Sequence, residues 1–125
     1  MTRVAVVAQD GLVAAGLAAV LRRAPDLAVV PDDSGAEVLV LDVWPPGAAA
    51  ALCRHWRSCR PAARLVAILH RPTPHLAESL GAVLWPKDAD PRGLPVAVRA
   101  AARLAPGGVG VDDPDGRGAC LGPFL

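Results

Sequence analysis

The sequence predicts one α/β domain, built as a parallel sheet with helices on both faces. Three observations predict it. Short β-branched apolar runs alternate with segments of helical spacing along most of the chain. Those runs are apolar nearly throughout, the pattern of strands buried on both faces. Polar side chains gather just past the ends of the runs, where open parallel sheets carry their functional groups.

In chain order, Arg3 to Ala8 is the first strand, and Leu12, Val13, Gly16, Leu17, Val20 and Leu21 follow at helical spacing. Arg22 and Arg23 lie in the last turn of that helix before Pro25 stops it. Leu27 to Val30 is a second short strand, and Glu37 to Val43 a third that stays apolar from Val38 until Asp42. Ala48 to Cys59 reads as a helix with Leu52, Trp56 and Cys59 on one face, ended by Pro61. Arg64 to Leu69 is the fourth strand and Ala82 to Trp85 the fifth, with a short helix from about His75 to Leu80 between them. Asp90 and Pro91 open the last helix as an N-cap acid and a proline at the first helical position. That helix turns Leu94, Val98 and Leu104 inward before Pro106-Gly107-Gly108 ends it. The chain divides into a domain over residues 1–108 and a Gly-, Pro- and Asp-rich tail over 109–125.

Composition excludes several classes. A chain of 125 residues with 53% hydrophobic and 20% charged side chains buries a core without disulfides or metal and is not disordered. The net charge of +1 and the lack of a basic stripe give no basis for direct nucleic-acid binding. Apolar runs are broken every few residues, far short of the roughly 20 that a membrane span needs. The N-terminus lacks the layout of a signal peptide. The expectation is a cytoplasmic protein with no membrane partner.

The candidate site follows from the strand ends: Gln9 and Asp10 after the first, Asp42 ending the third, His70 after the fourth, Lys87 after the fifth. Twelve of the 13 basic residues are Arg and Lys87 is the single lysine, which suggests a site that uses a compact, mobile ammonium. Trp44, two residues past Asp42, belongs to the loop over this pocket. Asp10, just before Gly11-Leu12, is placed to cap the first helix. Cys53, Cys59 and Cys120 are odd in number, and no CxxC or HExxH pattern occurs, so no zinc site is expected. No nucleophile–base pair can be assembled, and the chain is not expected to be an enzyme.

With these residues in place, the sequence resembles the receiver domain of bacterial response regulators, above all the subfamily joined to a helix-turn-helix output domain. The resemblance runs from Arg3 to about Gly108. It is carried by VAVVAQDGLVAAGLAAVLRRAPDLAVV, by EVLVLDVWPPG and by LWPKDADPRGLPVAVRAAARLAPGG. It implies a flavodoxin-like, doubly wound five-stranded sheet of order 2-1-3-4-5. It also implies that Asp42 is equivalent to the phosphoacceptor and Lys87 to the family's site lysine.

Several departures from the family pattern bear on function. The acidic pair that holds Mg²⁺ after the first strand is here Ala8 and Gln9, so no metal or other cofactor is expected; Asp10 and Asp42 would be the ligands of any ion. His70 stands where the family has Ser or Thr. Leu84 holds the place of the switch aromatic three residues before the lysine, unless Trp85 has taken it. Pro86 is unusual before the lysine, and a cis bond at Trp85-Pro86 is an open possibility. The last departure is the crossover from the second strand to the third, which has no room for a helix. Six steps from Pro31 to Glu37 reach at most about 20–22 Å. Returning along a five-residue strand and crossing two strand spacings takes a diagonal of about 20 Å. The helix between strands 2 and 3 is therefore missing and an extended strap replaces it, or the second strand is displaced.

The resulting expectation is a pseudo-receiver: a signalling and regulatory protein–protein interaction module, not switched by Mg²⁺-dependent phosphorylation, in which Asp42 and Lys87 persist as a buried ion pair. Its partner would be another protein or a second copy docked through the fourth or fifth helix. Two alternatives stand beside it: a phosphoacceptor receiver using Asp42, and a receiver whose pocket takes an uncharged small molecule. In a longer chain, a DNA-binding domain after Gly108 would make any of these a transcription regulator.

Overall fold

The computed structural model describes residues 1–71, 76 and 79–104. They form β1 (Thr2–Val7), α1 (Gly11–Arg22), β2 (Leu27–Val29), β3 (Val38–Asp42), α2 (Ala49–Cys59), β4 (Arg64–Leu69), β5 (Val83–Pro86) and α3 (Leu94–Ala102). All five strands are parallel, in the order β2-β1-β3-β4-β5. Leu76, Ser79 and Leu80 are helical, within the short helix expected before β5. The rest of that helix, including His75, and the tail from residue 105, including Cys120, lie outside the described residues.

Strand periodicity divides the core into two layers, because successive side chains point to opposite faces. On one face Val4, Val38, Val40, Val66 and Ile68 pack against Leu21 of α1 and Leu94, Ala97, Val98 and Ala101 of α3. On the other, Ala5, Leu39, Leu41, Leu65, Ala67 and Leu69 pack against Ala49 and Cys53 of α2 and against Leu80. Each fully buried Leu or Val contributes about 1.5–3 kcal/mol relative to exposure, so both layers hold the sheet.

The helix ends behave as their sequences dictate. Asp10 caps α1 by accepting from the Leu12 N–H at 2.8 Å. Asp90 accepts from the Arg92 N–H at 3.0 Å, but what it caps is a 3₁₀ turn at Pro91–Gly93, and α3 proper begins at Leu94. In α2 the inward stripe is Ala49, Cys53 and Arg57, flanked by partly buried Leu52 and Trp56. Cys59, expected on the inward face, is exposed. At about 100° per residue, a stripe centred near Cys53 and Trp56 leaves Cys59 beyond its Leu52 edge.

The crossover lacks a helix, as the count of residues required, and β2 stays paired with β1. Val29 of β2 and Val38 of β3 both pair with Val4 of β1. β3 therefore starts level with the end of β2, and the chain has only to cross two strand spacings, about 10 Å. The strap is accordingly not extended. It spends its slack on a 3₁₀ turn, Asp33–Gly35, whose cap Asp32 accepts from the Ser34 N–H at 2.9 Å and from its hydroxyl at 2.7 Å. Its ends are pinned to β1 by Val30 N–H to Val4 O and Glu37 N–H to Arg3 O, both 2.8 Å. Arg60, just past α2, ties down Asp33 at 2.9 Å.

Leu84 and Trp85 take opposite faces of β5, Leu84 with the α2 layer and Trp85 with the α1/α3 layer. Trp85 therefore does not occupy the place of Leu84. Its indole lies over Gly93, where an added Cβ would come within 2.6 Å of the ring. Among the described residues the cis peptide is at Trp44-Pro45, not Trp85-Pro86.

Candidate functional site

The alternation that sorts the core also builds the site. Val38 and Val40 face the α1/α3 layer, so Asp42, two residues on, points the same way at the carboxyl end of β3. Val83 and Trp85 put Lys87 on that face at the end of β5, and its backbone N–H donates to Leu69 O at 2.8 Å. Two strands that are not neighbours thus bring their polar ends together across β4.

Asp42 is 7% exposed and Lys87 31%, and Lys87 Nζ stands 3.2 Å from Asp42 Oδ1. The expected pairing is present, with the carboxylate buried and the ammonium at the edge of solvent. It is a charge contact and not a directed hydrogen bond, because Oδ1 has no aligned donor. Trp44, half exposed in the loop after β3, places its ring centroid 5.8 Å from Nζ, within the reach of a cation–π contact.

Asp42, Lys87, Trp44, Gln9, Asp10 and Val13 line one cleft of about 420 Å³. Beneath it a hollow of about 170 Å³ shares Asp42 and Lys87 and is walled by Val13, Leu17, Ile68, Trp85 and Leu94. Of the pocket residues anticipated from the sequence, Gln9, Asp10 and Trp44 line the cleft. His70 does not: it is exposed past the buried end of β4 and lines an adjoining apolar groove with Pro46, Ala49 and Leu76. Its ring meets Trp44 edge to face, with centroids 6.1 Å apart. Val13 was not anticipated, although its place three residues after Asp10 on α1 is the signal that puts it beside the cap.

Chemically, the cleft offers one ammonium, one buried carboxylate, one exposed carboxylate already accepting a helix N–H, a neutral amide and an aromatic wall. Among the described residues no three His, Cys, Asp or Glu side chains gather as a metal site. No described helix is long and apolar enough to cross a membrane.

Solved structures of similar shape agree on the architecture. A two-component response regulator of the LuxR family from Aurantimonas matches with a TM-score of 0.66 and 25% identity over 82% of this chain and 85% of that one. The signal receiver domain of the response regulator NarL from Mycobacterium tuberculosis matches at 0.64 and 24% identity, over 82% and 96%. A LuxR-family DNA-binding response regulator from Silicibacter pomeroyi matches at 0.65 and 22% identity, over 82% and 92%. No protein-family model and no curated relative matches the sequence. The neighbours together with the 2-1-3-4-5 parallel sheet show that this chain has the fold of a response-regulator receiver domain.

Proposed function

We propose that the chain is a regulatory receiver-type module that works through protein–protein contacts, without Mg²⁺-dependent phosphorylation of Asp42 and without catalysis of its own. The donor set of the cleft carries this reading. Mg²⁺ requires near-octahedral oxygen coordination, usually with one or two carboxylates and the substrate phosphate. Here Ala8 supplies no donor, Gln9 only a neutral carbonyl, and Asp10 is engaged as the cap of α1. Asp42 is left as one carboxylate with Lys87 against it. These residues do not fit the ion, and the pair acts instead as a buried charge and its neutraliser. Partner recognition then falls to the surfaces around the last helices, where α3 exposes Val96, and the partner is another protein or a second copy. By likeness to the DNA-binding neighbour, a DNA-binding domain after Gly108 in a longer chain would make the module part of a transcription regulator.

One observation favours a second reading. Asp10 lines the same cleft as Asp42 and Lys87, so a carboxylate released from its cap would complete a two-carboxylate site for phosphoryl transfer. The cleft volume also falls within the roughly 300–1,000 Å³ of small-molecule sites, which keeps an uncharged ligand as a third outcome.

Intact mass after incubation with Mg²⁺ and acetyl phosphate separates the first two, with Asp42→Asn as control. The expected result is no adduct on folded protein. An adduct on the parent that is absent from Asp42→Asn overturns the proposal in favour of phosphorylation. Light scattering checks the partner surface: a dimer is expected, disrupted by Val96→Glu.

A further inference from the structure

Asp42 and Lys87 line two spaces at once, the open cleft and the hollow of about 170 Å³ beneath it. The hollow is otherwise apolar, with Val13 and Leu17 of α1, Ile68 of β4, Trp85 of β5 and Leu94 of α3 in its walls. An apolar cavity of about 150 Å³ is enough to take up benzene. The hollow therefore has the size and the walls for one six-membered ring.

Asp42 stands where the two spaces meet. It is 7% exposed, and Lys87 Nζ at 3.2 Å supplies charge without an aligned bond, so among the described residues Oδ1 has no donor. The buried carboxylate keeps hydrogen-bonding capacity to spare, which selects a ligand that brings a donor. Charge selects a neutral one. An added cation meets the ammonium of Lys87, and an added anion meets Asp42 with Asp10 also on the cleft wall. Above the ring, the cleft of about 420 Å³ and the half-exposed Trp44 leave room for a substituent.

We propose that the hollow and cleft together bind a small neutral hydroxyarene. Its ring sits among Leu17, Ile68, Trp85 and Leu94, and its hydroxyl donates to the Asp42 carboxylate. A phenol loses its proton only near pH about 10, as Tyr does, so it arrives neutral and keeps its donor at pH 7. The assignment rests on the reading of Asp42 as the unphosphorylated partner of Lys87 and deepens it, because one carboxylate does not serve both a phosphoryl group and this hydroxyl.

Phenol is titrated into the full chain and followed by the N–H resonances of Leu17, Trp85 and Lys87. Toluene, of nearly the same shape but without a donor, and benzoate, an anion, are the comparators. The expected result is saturable shifts with phenol and at least about tenfold weaker binding of both comparators, the lower value of a hydrogen bond to a charged group. Asp42→Asn narrows the ratio of phenol to toluene. Ala89→Leu, on the partly exposed lining of the hollow, fills it and abolishes the shifts, and urea unfolding confirms that both variants are folded. No saturable shift, a comparator that binds as tightly as phenol, an unchanged ratio in Asp42→Asn, or shifts that persist in Ala89→Leu each overturns the ligand site. A phosphoryl adduct on Asp42 in the intact-mass experiment overturns instead the reading beneath it, whatever phenol does.

Discussion

The two faces of the sheet are held by different means. The α1/α3 face is closed by two helices whose apolar side chains meet Val4, Val38, Val40, Val66 and Ile68 in one layer. The α2 face has a 3₁₀ strap in place of a crossover helix, fastened by backbone bonds to β1 and by the Arg60–Asp33 pair. Asp42 and Lys87 both point to the first face. The difference teaches that the short crossover and the Asp42–Lys87 cleft belong to opposite faces of the sheet. The strap lies on the face away from the cleft, and the hollow that shares Asp42 and Lys87 is walled by α1 and α3 residues.

Substitutions at the seam and on each face test that separation, beginning with the largest expected effect. Lys87→Met leaves a carboxylate buried and unpaired, and the expected loss is about 3 kcal/mol, discounted from the usual cost of breaking a buried pair because Lys87 is partly exposed. Adding Asp42→Asn removes the orphaned charge and recovers most of that loss in urea unfolding. A double variant as unstable as the single one would break the assignment of the pair. Gly93→Ala on the α1/α3 face drives a methyl to 2.6 Å from the Trp85 ring, and overpacking of this kind costs about 1–3 kcal/mol. Trp85→Leu in the same chain relieves the overlap and narrows the loss.

On the strap, Asp32→Ala removes both contacts to Ser34, at about 1 kcal/mol as for other cap losses. If the faces are independent, the backbone amide resonance of Lys87 does not move in that variant. The smallest effect belongs to the exposed Asp26–Arg99 pair, which ties α3 to the start of β2 through two bonds of 2.8 and 2.9 Å. Hydrogen bonds from Arg99 hold the Asp26 carboxyl at about 2, down from 3.8. The folded-state value is depressed, so the pair's contribution is present above the unfolded value of 3.8 and is lost as pH falls through about 2. The urea midpoints of the parent and Asp26→Asn therefore converge on acidification, and added salt shrinks the gap at neutral pH.

Much of the fold was legible because the apolar runs are separated by strong punctuation. Pro25, Pro61 and Asp90-Pro91 mark helix boundaries through backbone geometry that does not depend on the rest of the chain. Asp42 and Lys87 were legible as the polar ends of their strands for a similar reason: each is the first polar side chain at the end of an apolar strand. His70 obeyed the same rule and misled, since a bulky imidazole beyond a buried strand end turns to solvent and to the neighbouring groove. The face of α2 was misjudged because its stripe includes Arg57, whose long stem buries where a charge is not expected.

The sequence by itself determined the number of strands along the chain, the shortness of the crossover and the identity of the two charged residues at the strand ends. Those are local properties, set by backbone stereochemistry and by where polarity interrupts a run. Which face each side chain takes, and whether two strand ends come level, only the tertiary structure decided. A continuously apolar strand has no polar alternation to mark its phase, so register comes from neighbouring strands and the helices packed on them. The alignment of Val29 and Val38 on Val4 removed the need for a long strap. Packing along β3, β4 and β5 brought Lys87 to 3.2 Å from Asp42, a distance that neither segment encodes alone.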